Sequence, residues 1–383
     1  MRDAVIVDAV RTPVGKRNGS LAGWHAADLS ATVLNALVGR TGISPEQVDD
    51  VVWGCVRQAG HQANNVGRNA VLAAGWPESV PATTVDRQCG SSQQAAHFAA
   101  AGLIAGHYDL VVAGGVEIMS AIPANAVAAL PEFGKPTSKS IRDRYGVDFH
   151  QGVGAEKIAE KWGLSRRALD EFSALSHERL AAATDSGALK RQILPVTGAD
   201  GTELSVDEGL RRGTTADKLA GLKPAFMENG QIHAGNSSQI SDGASALLMT
   251  TSEKAAELGL TPLARVHTAV VAGDDPVFML TALIPATAKV LAKSGLSIDD
   301  IGAFEVSEAF ASVPLAWLAE TKADPARVNV NGGAIAIGHP LGASGARLMT
   351  TLVHHMVDNG VRYGLQTMCE GGGLSNATIL ELL

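Results

Sequence analysis

The chain contains an internal repeat with an offset of about 250 residues, and this repeat constrains its fold more than any other feature. Residues 47–51 read Gln-Val-Asp-Asp-Val and run into an apolar stretch that ends at Trp53, while residues 297–301 read Ser-Ile-Asp-Asp-Ile and run into one that ends at Phe304. The same offset carries Cys89 onto His339. Self-similarity of this kind predicts two related halves whose elements follow in the same order.

Each half continues with the same succession of turn, helix and strand. A Gly- and Ser-rich turn follows Cys89 and His339, and a helix-like run then extends to Gly106 in the first half and to Met356 in the second. A further strand-like segment follows each run. Strands that alternate with helices predict an α/β fold with largely parallel central strands and helices on both faces.

The two halves are separated by a segment of different character. Residues 116–240 include several prolines, a helix-like region at 154–184 and a charged stretch at 207–218. We therefore predict an N-terminal half formed by residues 1–115 and 241–254, an inserted loop subdomain of residues 116–240, and a C-terminal half of residues 255–383. A segment inserted in this way is expected to cover a site between the halves, where it excludes water and adds substrate contacts.

Charge and composition argue against several classes of function. A net charge of −8 without a run of Lys and Arg argues against nucleic-acid binding. No stretch of apolar residues is long enough for a membrane span. The short apolar run at residues 5–7 predicts a first strand rather than a signal peptide. Neither a P-loop nor a well-placed GxGxxG motif is present, so no nucleotide-binding motif is predicted.

The cysteine content indicates the redox environment. Cys55, Cys89 and Cys369 are too few for a disulfide framework, and they lack the CxxC spacing of zinc sites. We therefore expect no bound metal, free thiols and a reducing, cytoplasmic location.

Three residues are candidates for chemistry. Cys89 precedes a predicted helix, whose partial positive charge at the N-terminus favours a thiolate, although an isolated cysteine there also fits a buried structural role. His339 lies between Gly and Pro in a turn, where core packing explains it poorly, but it also fits a helix cap. Cys369 is followed two residues later by Gly371 and further glycines, which expose backbone N–H groups to a ligand or simply form a tight turn.

Together these segments resemble the signature blocks of the thiolase family, and they occur in the family's order. The blocks are Cys-Gly-Ser-Ser from Cys89, Ser-Glu-Ala-Phe at 307–310, Gly-His-Pro-Leu-Gly-Ala-Ser-Gly at 338–345 and Cys-Glu-Gly-Gly-Gly from Cys369, supported by similar blocks at 11–16 and 234–238. The resemblance covers about residues 4–382. It implies a duplicated five-layer α-β-α-β-α fold with an inserted loop subdomain. It is closest to actinobacterial degradative thiolases, some of which act on bulky or steroid side-chain acyl-CoAs.

The resemblance also implies a mechanism and its participants. Cys89 would accept the acyl group as a thioester, His339 would be the base that activates it, and Cys369 would move the proton at the α-carbon of the acetyl unit. The backbone N–H groups of Cys89 and Gly371 would hold the thioester oxyanion. CoA and acyl-CoA would be substrates, with no bound cofactor, and the subunits would form a homodimer or a homotetramer.

Five further positions match places where the family contacts CoA: His150, Arg211, Lys218, Ser238 and Phe310. Arg211 suits the CoA phosphates, but with another arginine beside it the residue also fits a solvated charge cluster. Lys218 stands where many relatives carry a small serine. Phe310 would pack against the pantetheine arm or, equally, form part of an apolar helix face.

Ser307 is the main departure from the family pattern. The family usually has Asn here, which holds a water that forms a second oxyanion hole with the histidine. Serine also binds water, but its shorter reach changes the geometry, so we expect an altered preference for acyl-chain length or shape. Gln151 replaces the Met typical of short-chain biosynthetic members, which weakens acetoacetyl-CoA as the natural substrate.

Two alternative functions remain on the sequence alone. A β-ketoacyl synthase-like condensing enzyme shares the duplicated architecture and a nucleophilic cysteine, but it would carry His or Asn in place of Cys369. A non-catalytic acyl-CoA or lipid-binding protein on the same scaffold is favoured only by Ser307, because Cys89, His339 and Cys369 are all present.

Overall fold

The computed structural model describes residues 2–123, 126, 134–198 and 201–383. Twelve strands are defined among these residues: β1 (Val5–Arg11), β2 (Gly15–Lys16), β3 (Asp50–Gly54), β4 (Ala82–Val85), β5 (Leu110–Ile118), β6 (Val196–Thr197), β7 (Glu203–Leu204), β8 (Ser241–Thr250), β9 (Ala264–Gly273), β10 (Ala303–Val306), β11 (Tyr363–Glu370) and β12 (Leu374–Leu382). The α-helices of the same residues are α1 (Ala26–Thr41), α2 (Val66–Ala73), α3 (Ser91–Ala105), α4 (Lys139–Tyr145), α5 (Gln151–Lys161), α6 (Arg166–Ser186), α7 (Ala216–Ala220), α8 (Ser252–Glu257), α9 (Leu283–Ser294), α10 (Ser312–Thr321) and α11 (Leu341–Asn359).

The strand order confirms the duplication. In the first half the strands lie in the order β4-β3-β5-β8-β1, and in the second in the order β10-β11-β12-β9. The place that β4 takes beside β3 is marked in the second half by a single bridge between Phe304 and Val328. The two runs join where β1 pairs with β9 through Val5 and Ile6. The same strand order thus occurs in both halves, which join at the β1–β9 pair.

The expectation of largely parallel strands was wrong. Among the described strands the parallel pairs are β3–β4, β3–β5 and β10–β11, and the other pairs are antiparallel. The reason lies in the connections. The short turn at residues 371–373 folds β12 directly back on β11, because three residues are too few for a helical crossover.

Alternating side chains on the strands divide the core into layers. In β1, Val5 and Val10 pack with the helices that cover the outer face of the first half, α1 and α2. The intervening Ile6 and Ala9 point the other way and pack with apolar residues of α3 and α11. A third cluster joins α9 and α10 to the outer face of the second half. The order α-β-α-β-α is therefore confirmed, with α3 and α11 in the middle layer.

Small residues let the two central helices approach closely. A Cβ on Gly345 would lie 2.2 Å from the backbone nitrogen of Gln93 in α3. A Cβ on Gly342 would lie 2.5 Å from the carbonyl oxygen of Val116 in β5. Any larger side chain at these positions would push the N-terminus of α11 away from β5 and α3.

The segment between β5 and β8 contains α4 to α7 and the β6–β7 hairpin. The helix-like region predicted at 154–184 is two helices, α5 and α6, which are separated by a turn containing Gly163 at φ 62°. Ala155, Ile158 and Leu169 from these helices belong to the core cluster of the second half. The predicted boundaries of the two halves and of the inserted subdomain stay a prediction. No helix of the described residues is long and apolar enough to cross a membrane.

Candidate active site

Cys89 lies in a tight turn at the N-terminus of α3. The preceding Gln88 adopts a left-handed conformation, with φ at 49°. The hydroxyl of Ser91 accepts a hydrogen bond from the backbone N–H of Arg87 at 2.9 Å and donates one to the carbonyl of Gln88 at 2.6 Å, which fixes the turn. The Cys89 side chain is buried and packs with Leu348 of α11 and Met368 of β11.

Burial keeps Cys89 as a thiol. Removal from water raises the pKa of Cys89 well above its ordinary value, and the neighbouring Cys369 and Glu370 raise it further. The expectation that the helix N-terminus favours a thiolate stays a prediction, and burial of Cys89 acts in the opposite direction. Cys89 needs a base to become a nucleophile.

His339 has the properties of that base. Its Nδ1 lies 2.7 Å from the Ser344 hydroxyl, which donates its single hydrogen to the carbonyl of Pro340 at 2.8 Å. The hydroxyl therefore accepts from His339, so Nδ1 carries the hydrogen and Nε2 keeps its lone pair. Nε2 is buried and has no hydrogen-bond partner among the described residues. Burial, with smaller contributions from Arg347 and Arg57, lowers the pKa of His339 to about 3.

Cys369 is at the carboxyl end of β11 and is fully buried. Burial raises the pKa of Cys369 to about 12, although the adjacent Ser307 hydroxyl opposes this shift. Ser307 directly follows β10, and its backbone N–H donates to the carbonyl of Thr367 at 3.1 Å. The register of β10 on β11 thus brings Ser307 beside the thiol of Cys369.

The four groups converge from both halves. The charge of Glu370 raises the pKa of both Cys89 and Cys369. Arg57 interacts electrostatically with both Cys89 and His339. Cys89 comes from the first half, whereas His339, Cys369 and Ser307 come from the second. Cys89 is therefore electrostatically coupled to Cys369, and Arg57 acts on both Cys89 and His339.

Glu117 holds this arrangement together, and the sequence analysis assigned it no role. Its carboxylate accepts hydrogen bonds from the backbone N–H groups of Val56, Arg57 and Gly342 at 2.9–3.1 Å, and one from Gln62 at 2.8 Å. It thereby ties the loop that carries Arg57 to the first turn of α11. Its only sequence signal is an acidic residue within an apolar strand.

Glu308 similarly holds the loop that leads into His339. It accepts hydrogen bonds from Ser176 at 2.8 Å, Asn329 at 2.8 Å and the backbone N–H of Ile335 at 3.1 Å. These bonds connect β10 and α6 to the loop that leads into His339. Glu308 belongs to the signature block at 307–310, but the sequence alone assigned it no function.

An open cleft of about 1250 Å³ is lined by chain neighbours of the reacting residues, although Cys89, His339 and Cys369 do not line it themselves. Four of the five predicted CoA contacts line it, namely His150, Arg211, Ser238 and Phe310, together with Gly371. Phe226 packs edge-to-face on Phe310 at 5.8 Å and lies 5.6 Å from the ring of His150, so these rings form one wall. Gln88 and Gly371, which also line the cleft, are neighbours of Cys89 and Cys369 along the chain.

Lys218 does not line the cleft. Its ammonium group donates to the carbonyl of Gly213 at 2.6 Å on an exposed part of α7. The basic side chains that do line the cleft include Lys16 and Arg17, which the sequence analysis did not select, and Arg57. Their signal was present in the charged residues that follow the first strand.

The described residues contain no group of three or more His, Cys, Asp or Glu side chains that could hold a metal ion. Cys55, Cys89 and Cys369 are all free and buried.

Comparison with known families agrees with this geometry. Residues 4–253 match the thiolase N-terminal domain, and residues 260–382 match the thiolase C-terminal domain. The chain belongs to the thiolase family. Its thiolase fold also matches the crystal structure of an acetyl-CoA acetyltransferase from Bacillus anthracis with a TM-score of 0.92 and 38% identity, over 100% of this chain and 99% of the other.

Curated thiolases are similar along the whole chain. A steroid 3-ketoacyl-CoA thiolase of Mycobacterium tuberculosis is 51% identical, covering 100% of this chain and 95% of that protein. A 3-ketoacyl-CoA thiolase of Photobacterium profundum is 44% identical, covering 100% of both. The protein is therefore an enzyme, a thiolase with acyl-CoA acyltransferase activity, and the predicted family is confirmed.

Proposed function

We propose that the protein cleaves a 3-oxoacyl-CoA with CoA, through an acyl thioester on Cys89, to give acetyl-CoA and a shortened acyl-CoA. The observation that carries this proposal is a buried, neutral His339, whose Nε2 has no hydrogen-bond partner among the described residues, together with two buried, neutral thiols. A neutral base can take the proton of a neutral thiol as the attack begins, so the site does not have to stabilise a thiolate–imidazolium pair beforehand.

Each residue then has a defined step. His339 takes the proton from Cys89, whose sulfur attacks the 3-carbonyl carbon of the substrate. The bond between C2 and C3 breaks, and the electron pair left on C2 takes the proton of Cys369, which releases acetyl-CoA. The resulting Cys369 thiolate accepts a proton from the thiol of the incoming CoA. The CoA sulfur then takes the acyl group from Cys89, and the departing Cys89 sulfur takes its proton back from His339.

Backbone donors stabilise the charge that develops on oxygen. We assign the thioester oxyanion to the N–H groups of Cys89 and Gly371, since Gly371 lines the cleft next to Cys369. Removing one such donor typically costs about 10²–10³ in rate. A water held by Ser307, together with His339, would serve the second oxyanion.

CoA would lie in the open cleft. Arg211, Lys16 and Arg17 offer guanidinium and ammonium groups for its phosphates, while His150, Ser238 and Phe310 would contact the rest of the molecule. A CoA contact by Lys218 would require its ammonium group to leave the carbonyl of Gly213. No bound organic cofactor or metal is part of the proposal.

The substrate is proposed to be bulky and its acyl part steroid-derived, with the reaction running in the degradative direction. Support comes from the steroid thiolase relative, the open cleft of about 1250 Å³ and the short Ser307 side chain. Acetoacetyl-CoA is the alternative that the same site could accept.

The test is a CoA-dependent thiolysis assay on the wild type and Cys89→Ala with a panel that runs from acetoacetyl-CoA to branched and steroid-derived 3-oxoacyl-CoAs. We expect the wild type to prefer the bulky members and Cys89→Ala to lose all thiolysis. Cys55→Ala is the matched control, because Cys55 is also a buried free thiol. Thiolysis by Cys89→Ala, or loss of activity in Cys55→Ala alone, would contradict the proposed nucleophile.

We also propose a homodimer or homotetramer in the cytoplasm. Phe98 and Ile104 on α3 are about half exposed, at 50% and 49%. Among the described strands, β4 lies at the edge of the sheet. A second copy of the chain would cover both features. The free thiols fit a reducing compartment. Light scattering coupled to size exclusion, with Phe98→Asp compared with the wild type, tests the assembly, and a wild-type monomer would contradict it.

A further inference from the structure

One buried acid, which interacts electrostatically with both reacting thiols, has no part in the mechanism above. Glu370 follows Cys369 at the end of β11 and is fully buried. Neither of its carboxyl oxygens makes a hydrogen bond of ordinary geometry with a described residue, although the backbone N–H of Asn376 favours the charged form. A buried carboxylate with so little support is costly, so the protonation state of Glu370 needs an explanation.

The position of Glu370 is fixed by Gly90, next to Cys89. A Cβ on Gly90 would lie 1.9 Å from the Oε1 of Glu370 and 2.4 Å from the Oδ1 of Asn376, so a side chain here would occupy the space that both oxygens need. The carboxyl group therefore packs against the turn that carries the nucleophile.

The orientation of Asn376 makes this pair of oxygens informative. Its Nδ2 lies 3.2 Å from the Oε1 of Gln94 and 3.2 Å from the Nδ1 of His97, both on α3. Since Gln94 offers an acceptor there, the amide nitrogen faces α3 and the carbonyl oxygen faces Glu370. That carbonyl oxygen also has no partner among the residues that the structure describes. Both oxygens lie against Gly90, so a proton on the carboxyl group of Glu370 would allow it to donate to the carbonyl oxygen of Asn376.

The surrounding charges leave this proton in place. Arg87, on the turn before α3, attracts the carboxylate, and its Nε has no hydrogen-bond partner among the described residues. Cys89 and Cys369 repel it when they ionise, and His97 on α3 is neutral because burial lowers its pKa to about 3. Burial raises the pKa of Glu370 to about 8, despite Arg87 and the backbone of Asn376.

We propose that Glu370 is a positioning residue that works as a neutral carboxylic acid, donating its hydrogen to Asn376, and that its ionisation shuts down thiolate formation at Cys89 and Cys369. A carboxylate in this place would put a negative charge behind both sulfurs at the moment each becomes negative. The neutral acid avoids that repulsion and gives the enzyme an upper pH limit. The inference rests on the proposed roles of the two cysteines.

The test is the pH dependence of kcat for thiolysis in the wild type and Glu370→Gln, whose amide is always neutral and also donates a hydrogen bond. At pH 9 about one tenth of Glu370 would remain protonated, so we expect the ratio of the variant's kcat to that of the wild type to rise about tenfold between pH 7 and pH 9. Taking this ratio removes the effect of CoA ionisation. Glu381→Gln on β12 is the control, since Glu381 is paired with Arg265 and its pKa is lowered.

Two further measurements keep the proposal open to refutation. Asn376→Ala removes the acceptor for the proton, so the alkaline fall in kcat should move to lower pH, opposite to the effect of Glu370→Gln. The folded protein binds the Glu370 proton more tightly than the unfolded chain does, so this contribution to stability is complete below about pH 4 and is lost as pH rises to about 8. The melting temperature of Glu370→Gln relative to the wild type should therefore rise through this range.

A pH-independent kcat ratio for Glu370→Gln would overturn the inference. So would movement of the alkaline limb in the same direction for both variants. Either result leaves the Cys89→Ala experiment untouched, and thiolysis by Cys89→Ala would instead remove the proposed nucleophile.

Discussion

The turns before α3 and before α11 occupy equivalent places in the two halves, but they hold their reactive residues in opposite ways. The thiol of Cys89 packs among apolar neighbours, Leu348 and Met368. The ring of His339 is held through Ser344, and its backbone N–H donates to Ser241 at 3.1 Å. Duplication supplied two similar helix N-termini, and the surroundings then made one a site for an uncharged nucleophile and the other a site for an oriented base.

Cys89 and His339 nevertheless remain neutral for the same physical reason. Burial is the leading cause of both shifts, raising the pKa of Cys89 and lowering that of His339. The helix dipole opposes the effect of burial at the first turn, where it favours a thiolate, and adds to it at the second, where it opposes an imidazolium. Proton transfer between the two turns, rather than a charge pair formed in advance, is therefore the step that substrate binding must trigger.

The contrast is broken most completely by removing the base. In His339→Ala, Cys89 stays a thiol at neutral pH, so kcat for thiolysis should fall by about 10²–10⁴. Alkylation of Cys89 by iodoacetamide should slow in parallel, which a mere change in substrate binding would not cause. His355→Ala is the control on the same helix, since His355 hydrogen-bonds with Asn359 near the end of α11. Alkylation as fast in His339→Ala as in the wild type would contradict the role of base.

A smaller effect is expected from freeing the ring without removing it. Ser344→Ala deletes the acceptor of the Nδ1 hydrogen, so both tautomers of His339 become populated and the ring can turn. The lost hydrogen bond is worth about 1 kcal/mol, so kcat should fall roughly five- to tenfold while KM changes little. Measuring kcat and KM separately checks this. A rise in KM at constant kcat would show instead that Ser344 supports substrate binding.

Much of this site was accessible from the sequence because its signals are local. The offset between Cys89 and His339, and the glycines after Cys369, mark the turns without any knowledge of the fold. Ser307 was noticed because it departs from a motif. Local signals of this kind survive because a turn at a strand end needs particular residues in a particular order.

The remaining features depend on contacts across the chain. Glu117 acts on Gly342, and Glu370 meets Asn376 and Gly90, through contacts that neither local composition nor spacing reveals. The sequence shows the helix that follows Cys89 but not the depth of burial, which raises the pKa of the thiol. The antiparallel pairing of β12 was missed because its turn is short and the alternation of elements suggested crossovers.

The finest test of the contrast concerns the residue beside Cys369. Ser307→Asn restores the longer side chain that the family usually has, moving the polar group further into the site and narrowing the space beside Cys369. We expect acetoacetyl-CoA to gain, and bulky 3-oxoacyl-CoAs to lose, about 1 kcal/mol in kcat/KM, roughly a fivefold change for each. Because the Ser307 hydroxyl also lowers the pKa of Cys369, the variant should change the alkaline behaviour of that thiol. The control is Ser252→Asn, because Ser252 is exposed. Ser312 on α10 is buried and would not serve. Unchanged relative kcat/KM across the panel would separate Ser307 from substrate choice and leave it only a neighbour of the second thiol.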